Sequence, residues 1–439
     1  MNEISNNIKS SSQSTKGLWI PFVVCIAIVA GTFNGMFSYF AFVLSIIAIF
    51  LLTEDNALCF MMMIMPFANI FKSSAGTQSF FTYLLLFYIL CFFVKRRCIS
   101  KMFLITVGFL SVYLVFQMCF SLNILRTVKF VANLLFIYLA VSCSTTHNAK
   151  KMCLYYIFGV AASSAVAALN IIPNLNNYIG TEDMWLQNEQ VLRFTGMYAD
   201  PNYYSVNLII SLCLIIILNH KKYLSIIPAI CLGGLMTFFV AMTLSKSAFL
   251  MLVLPLGLLM YSKLNKRNYL LFFGVLVAGI VVVNLLFSGK IAIFNNVLLR
   301  ITNASDIDSL TTGRSNIWNM YCEFLFDNLN SLLFGGGFGA ELIGKHAAHN
   351  TYIDLIYYFG IIGTVLVLLV FGVLINLKKN TAKLNLLNYS IWICIALMYF
   401  FLSELFYFDW AFHIIIAICI SKMNMSQTKE EKNHEKICV

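Results

Sequence analysis

Apolar runs of about membrane length recur along the whole chain, and they restrict its fold more than any other feature. Of the 439 residues, 60% are hydrophobic and 11% are charged, against about 25% charged residues in soluble domains. In lipid a backbone must satisfy its own hydrogen bonds, as helices do. The sequence predicts an all-α, polytopic integral membrane protein. A full span needs about 20 residues, and some of the runs are shorter than that, so we expect about 12–14 transmembrane helices. Fourteen candidate spans occur, at 17–33, 36–53, 57–71, 80–94, 102–120, 127–143, 152–172, 204–219, 224–242, 247–262, 269–287, 351–376, 386–402 and 409–421.

Lysine and arginine are unevenly distributed between alternate loops, which indicates the orientation. With the N-terminus in the cytoplasm, the inner segments hold twenty of the 29 basic residues. The outer segments hold the other nine, which are Lys72, Arg126, Lys129, Arg193, Lys246, Lys290, Arg300, Arg314 and Lys345. The bias predicts that both termini are cytoplasmic. It also accounts for the net charge of +11, so we expect no nucleic-acid partner.

The spans and loops predict a single multi-span membrane domain, 1–439. Two larger extracytoplasmic loops are expected, at 173–203 and at 288–350, and we expect any chemistry there because nearly all other segments read as membrane helix. The polar tail 423–439 is predicted to be disordered and cytoplasmic. The first apolar run lacks the short core and cleavage site of a signal peptide, so we interpret it as a retained helix.

The first long loop ends in Arg193-Phe194-Thr195-Gly196, followed by Asp200-Pro201-Asn202. The second group is typical of a turn and a helix start, with Asp or Asn as the cap and Pro in the first turn. Arg193 is then either a functional cation or a structural one that pairs with Asp200 or Glu189.

Lys246 lies in Leu244-Ser245-Lys246-Ser247, between two apolar runs on the outer side. Two interpretations of this lysine stay open. It either contacts a substrate or extends its ammonium group to the membrane interface while its stem packs on apolar surface.

The second long loop contains Arg314, directly before a stretch with helical periodicity. Ile317, Tyr321, Phe324 and Leu325 fall on one face, which predicts an amphipathic helix on the outer leaflet. An arginine at a helix N-terminus suits a phosphate. The alternative is a surface helix with a solvated arginine.

Glycines and histidines end the same loop. The glycine cluster 335–339 is interpreted either as an anion-binding nest or as a tight turn. His346 and His349 are three residues apart with no third histidine nearby, which makes a metal site a weak interpretation. His349, beside Asn350 at a helix entrance, is either a general base or a cap.

Each of these signals is weak alone, but their order is specific. It resembles the superfamily of bacterial O-antigen polymerases and O-antigen ligases over about 193–364. Lys246 stands where members often carry arginine. The order is Arg-Phe-Thr-Gly-x3-Asp-Pro-Asn at 193–202, Leu-Ser-Lys-Ser at 244–247, Thr-Gly-Arg-Ser-x2-Trp at 312–318, Gly-Gly-Gly-Phe-Gly at 335–339, and His-Asn at 349–350 followed by Gly-x2-Gly at 360–363.

The resemblance implies a metal-independent, inverting glycosyl transfer, without a cofactor, at the outer face of the bacterial cytoplasmic (inner) membrane. The donor is a glycan on undecaprenyl pyrophosphate. The acceptor hydroxyl belongs to another carrier-linked repeat unit in a polymerase, or to lipid A–core in a ligase. We favour the polymerase; a ligase is the alternative, and a lipid-linked glycan flippase or transporter is less favoured. A chain-length regulator and a flippase are candidate partners.

Residue roles follow from the same resemblance and from the chemistry of the groups. His349 is assigned as the base for the acceptor hydroxyl, because the ordinary pKa of histidine lies near neutrality. Arg193 and Arg314 are assigned to the pyrophosphate, because guanidinium groups bind phosphate oxygens in a bidentate manner. The residues assigned to substrate binding are Lys246, Asn350, Asp200, Asn202 and His346.

Overall fold

A computed structural model describes residues 19–95, 100–119, 121, 123–143, 146–172, 175, 179, 193–263, 313–376, 386–403 and 409–421. Every regular element among them is helical. The predicted span 269–287 and the predicted tail 423–439 lie outside the described residues, as do most of 173–192 and all of 288–312.

We number the helices in chain order. They are α1 Ile20–Gly31, α2 Gly35–Leu51, α3 Glu54–Ile64, α4 Phe80–Lys95, α5 Lys101–Met118, α6 Ile124–Cys143, α7 Thr146–Ala168, α8 Pro201–His220, α9 Ile226–Thr243, α10 Lys246–Met251, α11 Val253–Lys263, α12 Arg314–Asp327, α13 Leu329–Phe334, α14 Thr351–Asn376, α15 Leu386–Tyr399 and α16 Asp409–Ser421.

Six of these helices are long and apolar enough to cross a membrane, namely α5, α6, α7, α8, α9 and α14. Shorter apolar helices accompany them, including α1, α2, α4 and α15. No strand occurs in the part of the chain that the structure describes. The predicted all-α, polytopic membrane architecture is confirmed.

Among the described residues, the predicted spans 57–71 and 247–262 are each divided into two separate helical segments. The run 57–71 contains α3, which ends at Ile64, and a separate 3₁₀ turn at Met65–Phe67. The run 247–262 is interrupted at Leu252, between α10 and α11. In each case a proline lies close to the break, Pro66 or Pro255, and proline lacks the N–H that an α-helical ladder requires.

Helix α8 forms the centre of the bundle. Nearly all of its residues are buried, and it packs against α7, α9, α11 and α15. A helix that is apolar on every side is expected in such a position. The polar residues in the first turn of α8 therefore lie among several other helices.

A glycine junction joins α13 to α14. It comprises Gly335, Gly336, Gly337 and Gly339 together with Gly360, where α14 is kinked. Gly335 and Gly360 both have positive φ, +72° and +63°, and a Cβ on either would collide with the backbone of the other. Only glycine satisfies both conditions. The junction therefore fixes the path of the chain into α14.

The N–H groups of the junction have structural partners. Gly336 donates to the Tyr357 carbonyl at 2.8 Å, and Gly337 donates to the Tyr358 carbonyl at 3.0 Å. Gln117 on α5 adds bonds to the carbonyls of Tyr358, at 2.8 Å, and Phe334, at 2.6 Å. These bonds favour the tight-turn interpretation of the cluster over the anion nest.

Candidate active site

The start of α8 holds the first group of candidate residues. Asp200 caps the helix, accepting from the Asn202 N–H at 2.6 Å, and Pro201 opens it. Arg193 Nη2 donates to Asn202 Oδ1 at 3.3 Å, and Arg193 Nε donates to the Thr243 carbonyl at 3.1 Å. Arg193 thus links the start of α8 to the end of α9.

The break between α9 and α10 brings a serine to the same amide. Leu244 has φ +50°, a left-handed conformation that ends α9, and Ser245 then caps α10. The Ser245 hydroxyl donates to Asn202 Oδ1 at 2.7 Å. Lys246, the first residue of α10, is half-buried. Its backbone therefore adjoins the amide oxygen that Arg193 and Ser245 share.

Arg314 enters from the second long loop as the first residue of α12. Its Nη1 donates to the Phe401 carbonyl at 2.8 Å. Burial lowers the pKa of Arg314, and the negative charge of nearby Asp200 opposes that shift. Arginine remains protonated in proteins, so the site retains a positive charge close to the cap of α8.

The apolar face of α12 packs inward and supports the segment that leads to the histidine. Tyr321 and Leu325 are buried. The Tyr321 hydroxyl donates to the His346 carbonyl at 2.8 Å, and Trp318 Nε1 donates to the Ala348 carbonyl at 2.9 Å. These two bonds hold the backbone of residues 346–348 in place.

His349 lies immediately before the cap of α14. Asn350 provides that cap, because its Oδ1 accepts from the N–H groups of Tyr352, at 3.0 Å, and Ile353, at 3.2 Å. His349 has φ +49°, a conformation that non-glycine residues adopt rarely and often at functional sites. Asn350 therefore has a structural role as the cap of α14, directly after His349.

The electrostatics of His349 favour the neutral imidazole. Burial is the main cause that lowers its pKa, and the positive charges of Arg314 and His346 act in the same direction, whereas Asp200 opposes them. These interactions place His349, Arg314 and Asp200 in one neighbourhood. The buried Nδ1 of His349 has no hydrogen-bond partner among the described residues.

Three successive carbonyl oxygens in the segment 401–403 connect the helices of the site. The Phe401 carbonyl accepts from Arg314 at 2.8 Å, the Leu402 carbonyl accepts from Thr351 Oγ1 at 2.5 Å, and the Ser403 carbonyl accepts from the Tyr203 hydroxyl at 3.2 Å. The starts of α8, α12 and α14 are thereby tied to one stretch of backbone.

The structure therefore brings together residues from four separate parts of the sequence. Of the predicted site residues, His346 is the most peripheral: its side chain is exposed, and its carbonyl is bonded to α12. Glu189, a predicted partner of Arg193, lies outside the described residues. Sequence reasoning missed Ser245 as a hydrogen-bond donor at the site. The pattern of a serine directly before a helix start could have identified it.

This arrangement offers an imidazole with a lowered pKa near the Arg314 guanidinium, and a second guanidinium, that of Arg193, at the start of α8. Such a set can accept a proton from a hydroxyl and stabilise negative charge on a phosphate. Within the described ranges, no group of three or more His, Cys, Asp or Glu side chains is placed to hold a metal ion. The metal-free reaction stays a prediction.

Comparison with known proteins agrees with the motif order. Residues 231–368 match the family model described as O-antigen ligase, Wzy_C. Searches of curated proteins and of solved structures gave no significant match. The matched range contains Lys246, Arg314, His349 and Asn350, whereas Arg193 lies before it. Over residues 231–368 the chain is therefore similar to the O-antigen ligase family, which is consistent with the O-antigen polymerase and ligase superfamily.

Proposed function

We propose that this membrane protein is a surface-polysaccharide polymerase. It joins oligosaccharide repeat units carried on undecaprenyl pyrophosphate, at the outer face of the cytoplasmic membrane. The observation that carries the proposal is the placement of His349, Arg314 and Asp200 in one neighbourhood, with Arg193 bonded to Asn202 two residues from Asp200.

The proposed reaction is a single displacement at the anomeric carbon of the donor. The acceptor hydroxyl oxygen forms the new bond to that carbon, and its proton passes to the imidazole of His349. The bond between the carbon and the pyrophosphate oxygen breaks, and its electron pair leaves with the carrier pyrophosphate. Arg193 and Arg314 stabilise that charge. The lowered pKa of His349 supports the role of base, because the base must start neutral.

A ligase is the second candidate, since the matching family model is described as O-antigen ligase. In that case the same residues act, but the acceptor is lipid A–core. We favour the polymerase because the fourteen predicted spans and the Asp-Pro-Asn and Thr-Gly-Arg blocks resemble polymerases more closely. A chain-length regulator and a flippase in the same membrane belong to this proposal.

The orientation is part of the same proposal, because carrier-linked repeats are joined outside the cytoplasm. The basic-residue bias supports it. Reporter fusions at Ser100, Asn148 and Asn380 should report the cytoplasm, and fusions at Asn188 and Asn303 should report the outside. A cytoplasmic signal at Asn303 would exclude the proposed reaction at this face.

A deletion strain distinguishes the candidate functions. Without a polymerase, cells should carry surface glycan capped with a single repeat unit, because transfer to the final acceptor continues. Without a ligase, long glycan should accumulate on the carrier and the core should be bare. Without a flippase, single units should remain on the cytoplasmic face. A gel of surface glycan and an extraction of carrier-linked glycan separate these outcomes; bare core with long carrier-linked glycan would overturn the choice of polymerase.

A further inference from the structure

Helix α16 brings two ionisable side chains into the interior of the bundle. Asp409 and His413 are four residues apart, so they lie on one face of the helix, and they are 3% and 0% exposed. Burial of such groups among apolar helices costs free energy unless they are hydrogen-bonded. Ionisable residues inside a membrane bundle therefore mark function by default, and their bonding partners indicate which function.

The carboxyl group of Asp409 holds the loop that carries Arg193. It accepts hydrogen bonds from the Tyr198 hydroxyl and from the side-chain amide of Asn207. Tyr198 lies in the loop between Arg193 and the start of α8, and Asn207 lies within the first two turns of that helix. Asp409 therefore bonds the chain on both sides of the Asp200 cap.

Asn207 connects the two side chains of α16. Its Oδ1 accepts from the Tyr156 hydroxyl at 2.7 Å and lies 3.2 Å from His413 Nε2. An amide oxygen can only accept, so Nε2 donates to it, and the amide nitrogen of Asn207 is the donor to Asp409. In a neutral imidazole, Nδ1 of His413 is then the acceptor for the Tyr399 hydroxyl, at 3.3 Å. The bonded chain thus runs from Asp409 to Tyr399.

The far end of this chain reaches the backbone that bonds Arg314. Tyr399 is the last residue of α15, and the segment 401–403 follows it directly. The first carbonyl of that segment accepts from Arg314 at 2.8 Å. One face of α16 therefore bonds both the loop of Arg193, through Asp409, and the helix end that leads to the Arg314 contact, through His413.

We propose that Asp409 and His413 are positioning residues that set the separation between Arg193 and Arg314. The inference rests on the proposed function, in which both guanidinium groups stabilise the charge of the leaving pyrophosphate. Neither side chain of α16 contacts the substrate. A displacement of about 1 Å in a group that acts on the reacting atoms can cost about 10²-fold in rate, so loss of either residue should lower kcat.

The first test is a double-mutant cycle on kcat. Asp409→Asn keeps the size of the side chain but leaves one acceptor oxygen instead of two, and it should lower kcat about 10–10²-fold. In an Arg193→Ala background the same change should add little, because the residue through which it acts is already gone. Tyr198→Phe, which removes the hydroxyl donor, should reproduce both results. Equal losses in the two backgrounds would indicate a general structural role and overturn the inference.

The second cycle combines His413→Gln with Arg314→Gln. Glutamine keeps an N–H donor toward Asn207 and lacks the ring nitrogen that faces Tyr399, so kcat should fall in the wild-type background and little further beside Arg314→Gln. Ser390→Ala is the control, because it removes a buried hydrogen bond within α15. It should leave kcat near the value of its parent in every background. Coupling of the control to Arg314 as strong as that of His413 would overturn the inference.

Binding of a short-chain prenyl pyrophosphate to the full chain in nanodiscs separates this inference from the proposed function. Asp409→Asn should weaken binding about tenfold in the wild-type background and little in the Arg193→Ala background. That measurement requires no polymer, so a wild type that makes none would contradict the polymerase while the binding cycle still decides the positioning role. Equal weakening in both backgrounds overturns the positioning role even where the wild type makes polymer.

Discussion

The glycine junction and the candidate active site are both built where helices begin or end, and their polar groups are used differently. At the junction, the N–H groups of Gly336 and Gly337 donate to the carbonyls of Tyr357 and Tyr358. At the site, the buried Nδ1 of His349 has no partner among the described residues. Buried polar atoms without partners are uncommon and call for an explanation such as a ligand or a catalytic role.

The difference distinguishes a structural motif from a candidate catalytic one within a short stretch of the chain. The N–H groups of Gly336 and Gly337 are bonded within the junction, and Gly335 and Gly360 are required by close backbone contact. The site gathers the positive charge of Arg314, the cap of α8 and a half-buried imidazole whose buried Nδ1 has no partner among the described residues. We expect substitutions at the junction to change stability, and substitutions at the site to change rate.

The largest expected effect is at His349. His349→Ala should reduce the rate by about 10²–10⁴ if the imidazole is the general base. The melting temperature should change little, because no described residue depends on Nδ1. His346→Ala is the matched control, since its side chain is exposed, and it should lose far less activity. Turnover and thermal unfolding of purified protein decide this; equal losses in the two variants would contradict the assignment.

Arg193 should come next, with a loss of about 10²–10³ in rate when its stabilisation of the leaving group is removed. Arg193→Lys should be nearly as impaired as Arg193→Ala, because lysine cannot bond Thr243 and Asn202 with the same planar geometry. Lys246→Arg should be tolerated, since the family often has arginine there. Polymer on a gel at matched expression reports the result; full polymer from Arg193→Ala would exclude the phosphate role.

The junction should show the opposite pattern. Gly360→Ala should destabilise the protein by at least about 1–2 kcal/mol, because alanine is strained at positive φ and its Cβ would collide with the backbone of Gly335. Gly372→Ala on the same helix is the control, since a Cβ there meets nothing within 4 Å. Thermal unfolding in detergent measures both; equal melting temperatures would contradict the structural role of the junction.

The smallest expected effect is a shift in pH dependence. A base must be neutral to act, and the pKa of His349 is lowered, so the acidic limb of the rate profile should lie below the ordinary histidine value of 6.5. Arg314→Gln removes a positive charge and should move the limb to higher pH. Asp200→Asn removes a negative charge while keeping a good cap and should move it to lower pH. Shifts in the same direction for both variants would contradict the proximity of these charges to His349.

The sequence identified the helices and the ends of several of them. Hydropathy indicated the spans because lipid leaves a backbone few alternatives, and Asp200 was expected as a cap because its side chain can replace a missing helical bond. The same local reasoning missed the interruption at Leu252, since the apolar run continues through it.

The sequence did not reveal how the parts of the site are held together. The carbonyls of Phe401, Leu402 and Ser403 bond Arg314, Thr351 and Tyr203, and a carbonyl carries no signature of its residue type. Contacts between positions so distant in sequence follow from the packing of the bundle, which local patterns do not encode. The order of the motifs identified the candidate residues, and the fold showed which of them lie close together.

The most direct test of the central claim is a reconstituted reaction. Purified protein in nanodiscs receives undecaprenyl-pyrophosphate-linked repeat units as the sole glycan substrate, and carrier-linked products are resolved by size. The account predicts a ladder of carrier-linked polymer with release of undecaprenyl pyrophosphate, and loss of that ladder in His349→Ala. No ladder from the wild type, with transfer only after lipid A–core is added, would contradict the polymerase assignment.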